Sequence, residues 1–235
     1  MRKSNKMDHF GWRFLPHAAA GAFLGVLGAW AFAMEAPPYF AEGWGEPTIV
    51  NAVLIGSSNP ALSNSSQFAF LFTCRVAMTS INGRVQPTAV RREIASRCRS
   101  EADKIVLSTP FFAAAWQVGA LGSYILGDWA GLNQRLRHAY AHAPYQNWQA
   151  ELRIDLVETA AEHVAAEIWP LHLNDLKLLL RYDSGRQFLV PRYLALQPLQ
   201  GRIDALLGEL AESDRLRFVA LASRADKERQ RNHGN

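Results

Sequence analysis

The stretch from Ala113 to Gln146, AAAWQVGALGSYILGDWAGLNQRLRHAYAHAPYQ, decides the fold. It is 34 residues long and reads as two helices joined by a tight turn. Trp116 comes early in the first helix, where a large aromatic fills the gap between paired helices. Gly127-Asp128 supplies the turn: glycine ends a helix cheaply and aspartate starts the next. The small Ala139 lets the second helix pack closely, and Pro144 stops it. Repeat-packing roles therefore fall to Trp116, Gly127, Asp128, Ala139 and Pro144. Pro110 precedes Pro144 by one 34-residue period, which suggests a degenerate unit from Thr79 to Phe112. Cys98, Ala102 and Ile105 then take the inward positions of its second helix. Downstream the register fades: Trp148 takes the place of Trp116 if a third unit starts at Tyr145, but no Gly-Asp turn follows at the expected place.

This period and residue order resemble a tetratricopeptide repeat (TPR). The resemblance covers 113–146 well and 79–112 loosely. It implies stacked helical hairpins, because one such unit cannot bury its own apolar face. Small TPR-like proteins of the bacterial envelope serve as scaffolds beside polysaccharide export, secretion or other membrane assemblies. The motif specifies an architecture and not a client.

Ahead of the repeat lies an apolar segment. No Asp, Glu, Lys or Arg occurs among the 21 residues 14–34, FLPHAAAGAFLGVLGAWAFAM. As a helix they cover roughly 30 Å, the thickness of a hydrocarbon core. Arg2, Lys3, Lys6 and Arg13 precede it, against Asp8 alone. Glu35, Glu42 and Glu46 follow, and no base appears before Arg75. The positive-inside rule then sets the N-terminus in the cytoplasm and the body in the periplasm. A cleaved signal ending near Ala31-Phe32-Ala33 is the competing reading. Gly21, Gly25 and Gly28 share one side of the helix and are candidates for packing against another membrane helix.

The expected organisation is a basic N-terminus (1–13), a membrane anchor (14–34), an irregular lead-in (35–66) and a helical domain (67–235). Within the lead-in, Thr48–Ile55 reads as a short strand or a helical turn. Helices are expected over 67–81, from Pro87 to about 107, over 147–169 and 171–182, with Asp183-Ser184-Gly185 as a turn. A short helix is expected over 186–197 and one long helix over 200–231, which Ser213-Asp214 can interrupt. Residues 105–127 carry no charge. That permits a second membrane span, or a helix buried on all sides.

Composition bounds the chemistry. A net charge of +4, scattered along the chain, gives no basic patch for nucleic acid. No phosphate loop, dinucleotide fingerprint, metalloprotease motif or nucleophile elbow is present. Cys74 and Cys98 lie equally far from Gln86. In an antiparallel hairpin they face each other and are disulfide candidates outside the cytoplasm. His138 and His142, four apart, can share a helix face as metal ligands. They equally suit a helix C-terminus, where a positive imidazole is favoured. Glu151, Asp155, Glu158 and Glu162 line another face, which reads as solvated.

The expectation is thus an all-α, single-pass membrane protein with a TPR-like periplasmic domain. Its function is that of a non-catalytic adaptor binding protein partners, with the bilayer held by 14–34 and no cofactor. The alternative is a metal-binding or enzymatic accessory built on His138 and His142.

Overall fold

A computed structural model describes residues 11–36, 46–55 and 63–233. Most of the basic N-terminus and the Gly-, Pro- and Ser-rich parts of the lead-in lie outside them. Among the described residues the chain is helical throughout, with no strand. The helices are α1 (Gly11–Glu35), α2 (Glu46–Ile55), α3 (Asn64–Thr79), α4 (Ile81–Arg84), α5 (Thr88–Ser108) and α6 (Ala113–Leu126). Then follow α7 (Trp129–His142), α8 (Asn147–Thr159), α9 (Trp169–Leu180), α10 (Asp183–Ala195), α11 (Gln197–Leu207) and α12 (Glu212–His233). Two single 3₁₀ turns, Ala161–His163 and Ala166–Ile168, join α8 to α9.

Helix α6 is the centre of the first half. Its small residues, Ala113, Ala114, Ala115, Gly119, Ala120 and Gly122, let helices approach closely on both sides. At Gly122 an added Cβ would lie 2.9 Å from the Ala95 carbonyl oxygen and 3.0 Å from the Arg99 Cβ. Helices α5 and α7 flank α6 and are its most extensive neighbours. This explains the charge-free run: α6 is buried on several sides by protein, and the chain breaks at Thr109–Phe112 before it. Residues 105–127 are therefore not a second span. The one helix among the described residues long and apolar enough to cross a membrane is α1, over Pro16–Glu35, and none of it is buried.

Three apolar clusters run in series. The first joins α2, α3, α5 and α6 through Val53, Leu71, Ile94 and Val118. The second joins α6, α7 and α8 through Ala120, Leu136 and Val157. The third gathers α8 to α12 around Ile154, Leu179, Ile203 and Phe218. Cys74 on α3 and Cys98 on α5 are bonded in the first cluster, both fully buried.

Several boundaries differ from expectation. Thr48–Ile55 belongs to a ten-residue helix, α2, whose Val50, Ala52 and Val53 are buried. Its burial against α3 and α5 outweighs the strand preference of its β-branched residues. Helix α3 begins at Asn64, inside the expected lead-in, because Ser63 caps it by accepting from the Ser66 N–H. Helix α8 stops at Thr159, not Trp169. Asp183, Ser184 and Gly185 open α10 instead of forming a turn, and the terminal helix breaks at 208–211 rather than at Ser213-Asp214.

The degenerate repeat unit is also corrected. Its turn would fall 34 residues before Gly127-Asp128, at Glu93-Ile94. Helix α5 runs through that point unbroken. Cys98, Ala102 and Ile105 are buried as expected, but on a single long helix.

Candidate functional site

The predicted hairpin residues come together at the α6–α7 pair. Gly127 has φ 77°, a left-handed conformation that glycine adopts without penalty, and its N–H closes α6 on Ser123 and Tyr124. Asp128 does two jobs. One carboxylate oxygen accepts from the Gly131 N–H at 2.9 Å and starts α7. The other accepts from Arg99 at 3.0 Å and ties the turn to α5. A second pair, Arg135 with Asp103, fastens α7 to α5 with two short bonds of 2.9 and 2.8 Å. Part of the charge on α5 is used in these links.

Ala139 is fully buried, and Pro144 is exposed in the connection after α7. Trp116 is half-buried. Its indole N–H donates to the Pro110 carbonyl at 2.7 Å, and its ring stacks on His138 at 4.2 Å. It covers one end of the hairpin, while Ala120, Leu132 and Leu136 fill the middle.

The His138 and His142 rings lie 6.1 Å apart, and His142 meets Phe111 edge-on. Burial, then the neighbouring His142 and Arg137, lowers the pKa of His138. Among the described residues no three His, Cys, Asp or Glu side chains are grouped to hold a metal.

Of the acidic face expected to be solvated, Glu162 is exposed beyond the end of α8 and Asp155 is half-exposed, but Asp155 and Glu158 are both paired. Asp155 accepts two bonds from Arg192, at 2.6 and 2.9 Å. Glu158, nearly buried, accepts from Arg202 at 2.6 Å and meets His172 Nε2 at 2.6 Å. Deeper in, Arg153 donates two 2.7 Å bonds to Asp175, with the pair fully buried, and lies over the Tyr140 ring at 4.6 Å. Burial pushes the Asp175 carboxyl upward, opposed by the Arg153 bonds. These links join α7, α8, α9, α10 and α11. They were not foreseen, since an arginine within a helix gives no sign of burial until its partner is known.

Between α3, α6, α8 and α10–α11 the surface opens into a groove of about 980 Å³. Its walls are largely apolar, with Phe68, Phe72, Leu121, Trp148, Leu152 and Leu196 prominent. Phe68, Phe72, Trp148 and Leu196 are each more than 40% exposed and give the groove an apolar rim. One end carries Arg84 and Arg91, near Tyr124 and Ile125. Arg84 and Arg91 have no ion pair among the described residues. Arg75 faces Asp155 and Glu151, and burial lowers its pKa. A shallower pocket of about 510 Å³ shares Arg91, Tyr124 and Glu158 and extends towards Trp129, Glu162 and His163. The opposite end is aromatic, where Phe68 and Trp148 meet edge-on at 5.5 Å. At that end Gln117 donates to the Gln149 carbonyl at 2.9 Å, leaving its own buried Oε1 without a partner.

The class so defined is an all-helical protein with one candidate membrane helix and an open apolar groove that is basic at one end. No family model, no curated protein and no solved structure matches the chain.

Proposed function

We propose that the protein is a membrane-tethered, non-catalytic adaptor that holds an acidic, apolar-faced segment of a partner protein in this groove. The observation carrying the reading is the groove itself, with exposed aromatics along its walls and Arg84 and Arg91, which have no ion pair among the described residues, at one end. Desolvated aromatic side chains anchor interfaces well, and a cluster of cations selects an acidic partner. The α6–α7 unit supports a TPR-like hairpin array, in which concave surfaces of this kind take up peptide segments. Helix α1 supports a single-pass tether, and the basic residues before it favour a cytoplasmic N-terminus with a periplasmic body. The buried Cys74–Cys98 bond suits such an oxidising compartment.

Affinity purification of the full chain in mild detergent tests this. The reading expects one stoichiometric partner that is lost with Phe72→Glu or with Arg84→Glu/Arg91→Glu and retained with His142→Ala. Loss on His142→Ala with retention in both groove variants would reject the groove as the binding surface.

A further inference from the structure

The bundle has two ends, and they differ in a way that folding does not require. Helix α3 starts, α5 ends, α6 starts, α7 ends and α8 starts at one end, because each of these helices reverses the last or lies beside it. Several contacts fix this order: the Cys74–Cys98 bond, Arg99 at Asp128, Phe111 against His142, and Phe68 against Trp148. At this end Leu107, Phe111 and Tyr145 are 86, 76 and 84% exposed, with Trp148 at 42%. Residues 105–127 and 138–150, which supply its loops, contain no Asp, Glu, Lys or Arg.

The same end receives the tether. Glu35, the last residue of α1, accepts from the Ser63 N–H at 3.0 Å and from its hydroxyl at 2.5 Å, and Ser63 is the cap that starts α3. The exit of the candidate span is thereby pinned to the end that presents the uncharged aromatic loops.

We propose that this end lies in the interfacial region of the lipid bilayer, with Tyr145 and Trp148 among the headgroups and Leu107 and Phe111 at the acyl boundary. Amphipathic aromatics favour that region, and loops without formal charge enter it without desolvating an ion. The groove then runs away from the membrane, its aromatic end near the lipid and its arginines distal. The inference rests on α1 being the tether and does not depend on what fills the groove.

The test places p-benzoylphenylalanine in the full chain reconstituted into phospholipid nanodiscs. The positions are Phe111, Tyr145, Ile81 and Val85, with Phe23 on α1 as the reference. Ile81 and Val85 are also strongly exposed, 67 and 70%, but lie at the opposite end, so exposure alone cannot separate the sets. Irradiation followed by mass spectrometry is expected to give lipid adducts at 23, 111 and 145, severalfold above those at 81 and 85. Equal lipid yields at both ends would overturn the inference. So would protein adducts replacing lipid adducts at 111 and 145, or no lipid adduct at 23. None of these outcomes touches the Phe72 and Arg84/Arg91 result, so the two readings fail separately.

Discussion

Arg153 is the residue whose environment is least forgiving. Its guanidinium and the Asp175 carboxylate have left water together, and each is solvated chiefly by the other. Removing one partner strands a buried charge, which typically costs about 3–5 kcal/mol. Replacing both with apolar groups of similar size costs far less, because no charge is left to desolvate. Urea unfolding of Arg153→Ala is thus expected to show a loss of that order, with Arg153→Met/Asp175→Leu recovering most of it. A loss below about 1 kcal/mol for Arg153→Ala would mean the pair is hydrated in solution. The sequence did not reveal this pair. In sequence, Trp148, Leu152, Leu156 and Val157 recur along α8 at helical spacing as an apolar stripe. The buried face is turned towards Ala150, Arg153, Ile154 and Val157, leaving Trp148 at the groove. Periodicity ranks residues by polarity, and a charge neutralised from 22 positions away violates that ranking.

Among elements, the α6–α7 hairpin was the most legible, because its turn is written in local chemistry. A glycine free to take φ 77° is followed by an aspartate that caps the next helix. In the second hairpin, α3 with α5, the cysteine pairing was legible once the helices were taken as antiparallel, because Cys74 and Cys98 lie equally far from Gln86. Its bond closes a 25-residue segment, Cys74 through Cys98, and such a link stabilises by roughly 3 kcal/mol through the unfolded state. Cys74→Ala/Cys98→Ala is expected to lower stability by about that amount under oxidising conditions, read from urea midpoints. Because both sulfurs are fully buried, dithiothreitol is expected to leave the native bond intact without denaturant. Rapid reduction of the native protein would show that α3 and α5 separate readily. The elements that were misjudged share one cause. Helix α2 and the break before α12 depend on what packs against them, and local sequence holds no record of that. The 34-residue spacing of Pro110 and Pro144 was real, yet α5 contains no breaker where the repeat needs its turn, so the helix continues through it.

Across the whole molecule, one apolar helix leads into a body whose three clusters are laid end to end. That serial arrangement leaves a concave side, and the groove occupies it. The all-helical class and the candidate anchor were legible from composition and apolar length. The groove was not, since Phe68, Arg84 and Trp148 come from three helices and Leu196 from the connection between α10 and α11, and their meeting depends on the packing of the other elements. The most direct measurement is in-cell photocrosslinking from p-benzoylphenylalanine at Phe72, inside the groove, compared with Leu216 on α12, which is 57% exposed and lines no part of it. The account predicts one protein adduct of discrete mass from position 72, abolished by Arg84→Glu/Arg91→Glu, and none from 216. Adducts of equal yield from both positions, or from neither, would contradict it.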